Sequence, residues 1–191
     1  MKNTKEILIP VISLLIICVA GTVLMAFTDG ITKDRIAENA VIEERENQKT
    51  VMPDAENFSE EPLDISFGDT VYTYKTAFGK SGDIMGYVFK TWAKGYSGSI
   101  IVMTGVLTDG TVSGVNILQI TETPGLGMNA KNENFLKQYF GLSGKINMSA
   151  GGIKPENSID ILTGATITSK AVTDAVNTAL ELFGQIERGQ K

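Results

Sequence analysis

The amino-acid sequence predicts an α+β fold, an antiparallel sheet with packing helices, preceded by a single N-terminal transmembrane helix. Three observations predict it: an uncharged apolar run near the N-terminus, a middle section rich in β-branched and aromatic residues from Thr70, and an amphipathic helical pattern near residue 168. Strands that precede helices, instead of alternating with them, are typical of an antiparallel sheet covered by helices.

Composition excludes several classes of chemistry. The net charge is −5 and the Lys and Arg residues are scattered, so no nucleic-acid partner is expected. The chain has no histidine, which removes His-based catalysis and most zinc sites. Its single cysteine, Cys18, cannot form an intramolecular disulfide or supply an iron–sulfur cluster. No metal site is predicted, and an organic cofactor would have to carry any redox chemistry.

Residues 7–27 are predicted to be the transmembrane helix. The run contains 21 residues without a charge, and as a helix it would span about 32 Å, close to the roughly 30 Å hydrocarbon core of a bilayer. A cleaved signal peptide is the alternative. The run is longer than the usual apolar region of about 7–15 residues, and no A-x-A site follows, so an uncleaved anchor is favoured.

The charges that flank this run predict its orientation in the cell membrane. Lys2 and Lys5 lie in residues 1–6, and the segment after the run is mixed and net acidic. The positive-inside rule places residues 1–6 in the cytoplasm and the remainder of the chain on the extracytoplasmic side.

Residues 28–66 are expected to join the anchor to an extracytoplasmic domain, residues 67–191. A narrow apolar stripe in residues 31–48 is typical of a polar juxtamembrane helix, either a solvated stalk or a contact surface for membrane subunits. Pro53 should stop any helix, and the polar, acidic stretch after it is predicted to be a connection.

Four strands are predicted in the middle of the chain. Residues 70–78 and 84–94 are β-branched and aromatic, and residues 100–108 and 111–120 flank Asp109-Gly110, a strong hairpin turn signal.

Two helices should cover these strands. The first is short, with Phe135, Leu136 and Tyr139 on one side and Gly141 at its end. The second begins near Thr168 and has helical apolar spacing. Its predicted packed face comprises Ala171, Val172, Ala175, Val176, Ala179, Leu180 and Phe183.

Two loops carry the candidate site. In Thr121–Gly127, Pro124 and the glycines allow positive φ and close approach of a flat ligand, although a plain surface turn explains the same residues. The stretch D-I-L-T-G-A-T-I-T-S, residues 160–169, has four hydroxyl side chains ahead of the last helix. An N-cap at Thr168 or Ser169 explains one of them. The alternative is that a hydroxyl in this stretch is an attachment point.

Asp160, Thr163, Gly164, Ala165 and Thr166 resemble the D-x-x-[ST]-G-A-T motif of FMN-binding domains. In that family a flavin transferase joins FMN to the last threonine through a phosphoester bond. Residues 95–127 resemble the upstream half of the same domain, with its G-Y-x-G and E-T-P-G-L-G elements. With its anchor and motif order, the chain is similar to the RnfG proteins of Rnf electron-transport complexes and to the related NqrC proteins of the sodium-pumping NADH:quinone reductase.

The resemblance implies a set of site residues. Covalent FMN would be attached to Thr166, where the positive end of a helix suits a phosphate. The transferase would recognise Asp160, and Lys170 would either add charge or be a solvated surface residue. The residues around the phosphate would be Thr163, Gly164, Ala165, Thr168 and Ser169.

The flavin ring would lie against the second loop. Leu126 would pack on it, and Tyr96 and Trp92 are stacking candidates, with core packing as the alternative for both. The ring-binding residues implied are Glu122, Thr123, Gly125, Leu126, Gly127 and Tyr96.

In function, the resemblance implies a membrane-anchored flavoprotein subunit of an ion-translocating ferredoxin:NAD oxidoreductase, an electron relay with no complete reaction of its own. Its partners would be the other subunits of the complex, the membrane and, during maturation, the flavin transferase. Two alternatives stay open: an anchored FMN protein of extracellular electron transfer or a reductase without ion pumping, and a non-redox sensor or structural module.

Overall fold

The computed structural model describes residues 4–151 and 155–189. Lys2, used above to predict orientation, lies outside them. The chain divides into two compact units, one up to Glu44 and one from Arg45 onward. The second unit begins well before residue 67, where the domain was expected to start, because it includes the end of the first helix and two short strands.

A single helix, α1 (Thr4–Val51), replaces the two helices expected in this part of the chain. An isolated glycine costs a helix only about 1 kcal/mol relative to alanine, so Asp29-Gly30 does not interrupt it. Pro10 lies inside the helix rather than in its first turn. The helix ends two residues before Pro53, because the ring of a proline disfavours helical geometry in the residue before it.

The apolar part of α1, Leu8–Lys33, is long and apolar enough to cross a membrane. Its large side chains are exposed, among them Leu14, Ile17 and Phe27. Such a surface is stable only when lipid or a partner protein removes it from water.

Two short strands interrupt the acidic stretch that was expected to be only a connection. β1 (Asn57–Phe58) and β2 (Leu63–Phe67) both pair antiparallel with β3 (Thr70–Phe78). Ile65 and Phe67 pack partly buried against the core, while the alternating residues Asp64 and Ser66 are exposed. This alternation was hidden by the surrounding acidic residues.

The central sheet confirms the predicted antiparallel fold. β4 (Ile84–Lys94), β5 (Ser99–Leu107) and β6 (Val112–Gln119) follow β3, and the strand order is β1-β3-β4-β5-β6, with β2 also on β3. The Asp109-Gly110 turn joins β5 to β6, with Gly110 at φ +82°.

The helices that cover the sheet are α2 (Glu133–Leu136), continued by a 3-10 turn over Lys137–Tyr139, and α3 (Thr166–Gly189). Gly141, at φ +74°, follows the short helical segment. Between the helices lie two unpredicted strands of three residues, β7 (Asn147–Ser149) and β8 (Ser158–Asp160), which pair in parallel.

α3 covers one face of the sheet and forms the main core with it. Its buried residues include Ala171, Val172 and Val176, which pack with Phe89 and Val102 of the sheet. The helix is also fixed by a buried hydrogen bond of 2.9 Å from the Thr91 hydroxyl to the Ala175 carbonyl. The predicted apolar face is therefore confirmed.

The end of α1 covers the opposite face. Val51 and Met52, both 0% exposed, pack with Val88 and Met103 in a second apolar cluster. Below Val51 lie Gly105 and Gly114, which face each other across β5 and β6. A Cβ on Gly105 would lie 2.4 Å from the Val51 carbonyl oxygen. Glycine is thus required for the helix end to approach the sheet this closely.

Gly105→Ala is expected to lower the free energy of unfolding by roughly 1–3 kcal/mol, because the added methyl group displaces the backbone of α1. The matched control is Gly184→Ala in α3, where a Cβ has no neighbour closer than 3.9 Å. That change should be neutral or stabilise by up to about 1 kcal/mol through helix propensity. Thermal unfolding of the full chain in detergent measures both variants. Equal unfolding midpoints for Gly105→Ala and Gly184→Ala would show that the packing of the end of α1 does not require a glycine at residue 105.

Candidate functional site

A cleft of about 470 Å³ brings the two candidate loops together. One wall is the loop after β6 and the other is the start of α3, although the two are some forty residues apart in the chain. The residues that line the cleft are Tyr96, Glu122, Thr123, Leu126, Gly127, Gly164, Ala165, Thr166, Ile167 and Thr168. Among the predicted site residues, Gly125, Thr163, Ser169 and Asp160 are not part of this lining.

Glycines allow the two walls to approach each other. Gly125 and Gly164 have φ values of +78° and +76°, in the left-handed region that favours glycine. A Cβ on Gly164 would lie 3.1 Å from Cδ2 of Leu126, across the cleft. The backbone at Gly164 therefore turns towards α3 without filling the space beside Leu126.

Thr166 is the first residue of α3, and its side chain is exposed in the cleft. The Ser169 N–H donates to the Ala165 carbonyl at 2.9 Å, which is the first hydrogen bond of the helix. Amides that precede such a bond have no partner within the helix and give its N-terminus a partial positive charge. A group attached to the Thr166 hydroxyl would therefore begin beside anion-binding amides.

Thr168 and Ser169 are not N-caps, which corrects the capping hypothesis. α3 begins two residues earlier than expected, so both lie within its first turn and point into the protein. The Ser169 hydroxyl accepts a hydrogen bond from the Leu162 N–H at 3.0 Å and donates one to the Ala165 carbonyl at 3.0 Å. Ser169 thus links the loop of residues 160–163 to the first turn of α3 by hydrogen bonds.

A buried tyrosine, Tyr139, stabilises the first turns of α3 through a chain of hydrogen bonds. The Tyr139 hydroxyl lies 2.8 Å from the Thr173 hydroxyl, which in turn donates to the Ser169 carbonyl at 2.9 Å. Burial raises the pKa of Tyr139, so the phenol stays neutral. The start of α3 is therefore anchored to the 3-10 turn that contains Tyr139.

Glu122 joins the walls of the cleft through its buried carboxylate, which is only 7% exposed. Oε1 accepts hydrogen bonds from the Tyr96 and Ser97 N–H groups at 2.8 and 3.1 Å. Oε2 accepts one from the Thr168 hydroxyl at 3.1 Å. The turn after β4, the loop after β6 and α3 therefore meet at this one side chain.

Tyr96 and Trp92 are not core residues, so the packing alternative for them is wrong. Tyr96 is 71% exposed beside the cleft, and Trp92 is 45% exposed but is not part of the lining. Ile167, 52% exposed in the lining, was missed by sequence reasoning. The only signal for it was an apolar residue within a hydroxyl-rich stretch.

Asp160 and Lys170 lie outside the cleft. Asp160 ends β8, and its backbone N–H donates to Oε1 of Gln138 at 2.7 Å. It lines a second cleft, also of about 470 Å³, with residues of α2 such as Phe135. Lys170 is exposed and forms an ion pair with Asp174 one turn further along α3.

Families and relatives of this chain agree with the motifs at the cleft. Residues 95–181 match the FMN-binding domain family, and residues 1–50 match the RnfG N-terminal region. The subunit designated G in the Na⁺-translocating ferredoxin:NAD⁺ oxidoreductase complex of Acetobacterium woodii is 31% identical over 188 residues, 92% of this chain and 90% of that one. The subunit with the same letter in the ion-translocating oxidoreductase complex of Methanosarcina acetivorans is 28% identical over 187 residues, 95% and 96% of the two chains.

Two solved structures share the fold. NqrC of Shewanella oneidensis aligns with a TM-score of 0.55 at 22% identity, over 72% of this chain and 74% of that one. The subunit designated C in the Na⁺-translocating NADH-quinone reductase of Parabacteroides distasonis aligns with a TM-score of 0.54 at 17% identity, over 71% and 89%.

Proposed function

Because the chain belongs to the RnfG family of ion-translocating Rnf complexes, we propose that it relays electrons through FMN joined to Thr166 by a phosphoester bond. Its relatives are subunits of ion-translocating ferredoxin:NAD⁺ oxidoreductase complexes, so the chain is an electron-transfer subunit of such a complex. No complete reaction is expected from it alone. The apolar span in α1 supports a membrane anchor for this subunit.

The observation that carries the attachment is the position of Thr166. Its exposed side chain opens into a cleft that the E-T-P-G-L-G loop completes. The first amides of α3 would bind the phosphate, which keeps one negative charge as a diester, and the helix dipole favours that charge. Ala165 and Gly164 leave the approach to the hydroxyl open.

The remaining walls suit a flat, largely apolar ring. The cleft volume of about 470 Å³ lies within the usual range for cofactor sites, roughly 300–1,000 Å³. Leu126 and Ile167 offer apolar contacts, and Tyr96 offers an aromatic face at the edge of the cleft. Bound FMN supplies electron transfer, and the chain contributes the orientation and electrostatics that set its potential.

Three further assignments belong to the proposal. The lysines before the span, Lys2 and Lys5, support a cytoplasmic N-terminus and an extracytoplasmic FMN domain.

The partners are the other subunits of the complex, and a flavin transferase that recognises Asp160 during maturation. Asp160 faces a different cleft from Thr166, so a transferase could contact it without occupying the flavin site.

The intact mass of the full chain, purified from membranes of its own host, should exceed the sequence mass by FMN minus one water. The addition should map to the peptide that contains Thr166. An unmodified peptide from cells that flavinylate other proteins would overturn the attachment. Copurification of the other complex subunits would separate this function from that of a flavoprotein without ion pumping.

A further inference from the structure

Resting on the proposed function, we infer that Glu122 is a positioning residue whose carboxylate both holds the flavin cleft together and lowers the reduction potential of the flavin in it. Glu122 would act without a direct bond to the cofactor. Its two oxygens already accept hydrogen bonds from the Tyr96 and Ser97 N–H groups and the Thr168 hydroxyl.

The surrounding backbone is shaped to admit this carboxylate. A Cβ on Gly95 would lie 2.4 Å from Oε1 of Glu122. A Cβ on Gly127 would lie 2.8 Å from Oε2 of Glu122 and 2.6 Å from the Thr168 hydroxyl. Because the carboxylate occupies the space that a side chain would need at either glycine, any larger residue there would displace the acid. The backbone of the cleft therefore has a defined position for the Glu122 carboxylate.

Among the side chains that the structure describes, no Lys or Arg forms an ion pair with Glu122. All hydrogen-bond partners of Glu122 within residues 4–151 and 155–189 are neutral donors, two amides and one hydroxyl. Neutral donors stabilise a buried carboxylate but do not cancel its field. Because Glu122 is also part of the cleft lining, that field reaches whatever occupies the cleft.

The sign of the effect on a flavin follows from charge alone. Reduction adds electrons to the ring, and a nearby fixed negative charge makes that addition less favourable. The midpoint potential is therefore lower than it would be beside a neutral side chain. A low potential suits a carrier that works between a ferredoxin-type donor and NAD⁺, the reaction named for the relatives of this chain.

Glu122→Gln separates charge from geometry. Its amide oxygen can still accept from the Tyr96 and Ser97 N–H groups, and its NH₂ can donate to the Thr168 hydroxyl. The full-length variant, made in the host and purified in detergent, should still carry covalent flavin whose potential can be measured. Redox titration of the flavin absorbance should give a midpoint potential shifted to a more positive value.

The matched control is Asp109→Asn. Asp109 also accepts hydrogen bonds from a backbone N–H and a hydroxyl, both of Thr111, at 2.9 and 2.6 Å. It lies at the other end of β6, whose eight residues span roughly 26 Å. That separation exceeds a Debye length of about 8–10 Å, so the same loss of charge there should leave the flavin potential unchanged.

Glu122→Ala tests the positioning role on the apoprotein as well. Three donors lose their acceptor, so the thermal midpoint of chain made without the transferase should fall, and the flavinylated fraction made with it should fall several-fold. Unchanged stability and flavinylation would overturn the positioning role. A Glu122→Gln potential equal to that of wild type would overturn the electrostatic role, and failure of Glu122→Gln to fold would count against the inference, because the amide fits the same bonds.

These outcomes are distinguishable from failure of the proposed function. Wild-type chain without covalent flavin would refute the attachment, whereas the apoprotein comparison would still report on the contacts of Glu122. Wild-type chain with covalent flavin, combined with an unshifted Glu122→Gln potential, would refute only the present inference.

Discussion

Thr166→Ala is expected to abolish covalent flavinylation completely, because it removes the one oxygen through which the phosphoester would form. The substitution should disturb the fold little, since the side chain is exposed and alanine has a high helix propensity. Intact mass and in-gel flavin fluorescence of the full chain, purified from the host, measure the result. The thermal midpoint of the apoprotein should stay close to that of wild type.

Two variants control for this loss. Thr166→Ser retains a hydroxyl at the same position and should restore at least part of the modification. Thr163→Ala removes another exposed hydroxyl of the same loop, outside the cleft lining. This variant should lower the flavinylated fraction only in part or leave it unchanged, and should not abolish flavinylation. Covalent flavin that persisted in Thr166→Ala would identify a different attachment residue.

Deletion of residues 1–52 is expected to unfold the domain, whereas deletion of residues 1–27 should give a soluble, folded protein. The shorter deletion removes most of the exposed apolar span but none of the second compact unit. The longer one also removes Val51 and Met52, both 0% exposed in the second apolar cluster, on the face of the sheet opposite α3. Loss of such buried side chains costs about 1–5 kcal/mol each, and a domain is stable by only about 5–15 kcal/mol.

A third deletion distinguishes the effect of the number of residues removed from the effect of losing the buried end of α1. A chain that begins at Arg45 keeps the last turns of α1, including the hydrogen bond of 2.8 Å between the Asn47 and Asn116 side chains. It should remain folded, as judged by circular dichroism and a cooperative thermal transition. Equal unfolding midpoints for chains starting at Arg45 and at Pro53 would contradict the structural role of the helix end.

The parts of the fold that follow from local patterns were predicted well. The strands at 70–78 and 84–94 have the predicted bounds, and the Asp109-Gly110 hairpin turn and the apolar face of α3 are confirmed. In each case the periodicity of the segment, or the φ preference of a glycine, contains the information. The family resemblance is also confirmed. It could be predicted because the motifs that carry it are short and contiguous in the sequence.

The elements that were missed depend on distant partners. β1, β2, β7 and β8 have two to five residues each, too few for a periodic signal, and form only because β3 or another short strand presents unpaired backbone groups. The end of α1 was interpreted as a polar juxtamembrane helix, either a solvated stalk or a contact surface for membrane subunits, since nothing local shows that Val51 is buried above two glycines of the sheet.

By itself, the sequence determined that the chain has an apolar span, an antiparallel sheet with a covering helix, and two motifs typical of an FMN-binding domain. Only the tertiary structure decided which hydroxyls are exposed and which are buried. Thr166 opens into the cleft, whereas Thr168 and Ser169 turn inward to Glu122 and Leu162. The reason is physical: a motif specifies residue types, but the direction of each side chain depends on where α3 begins and on which loop packs against its first turn.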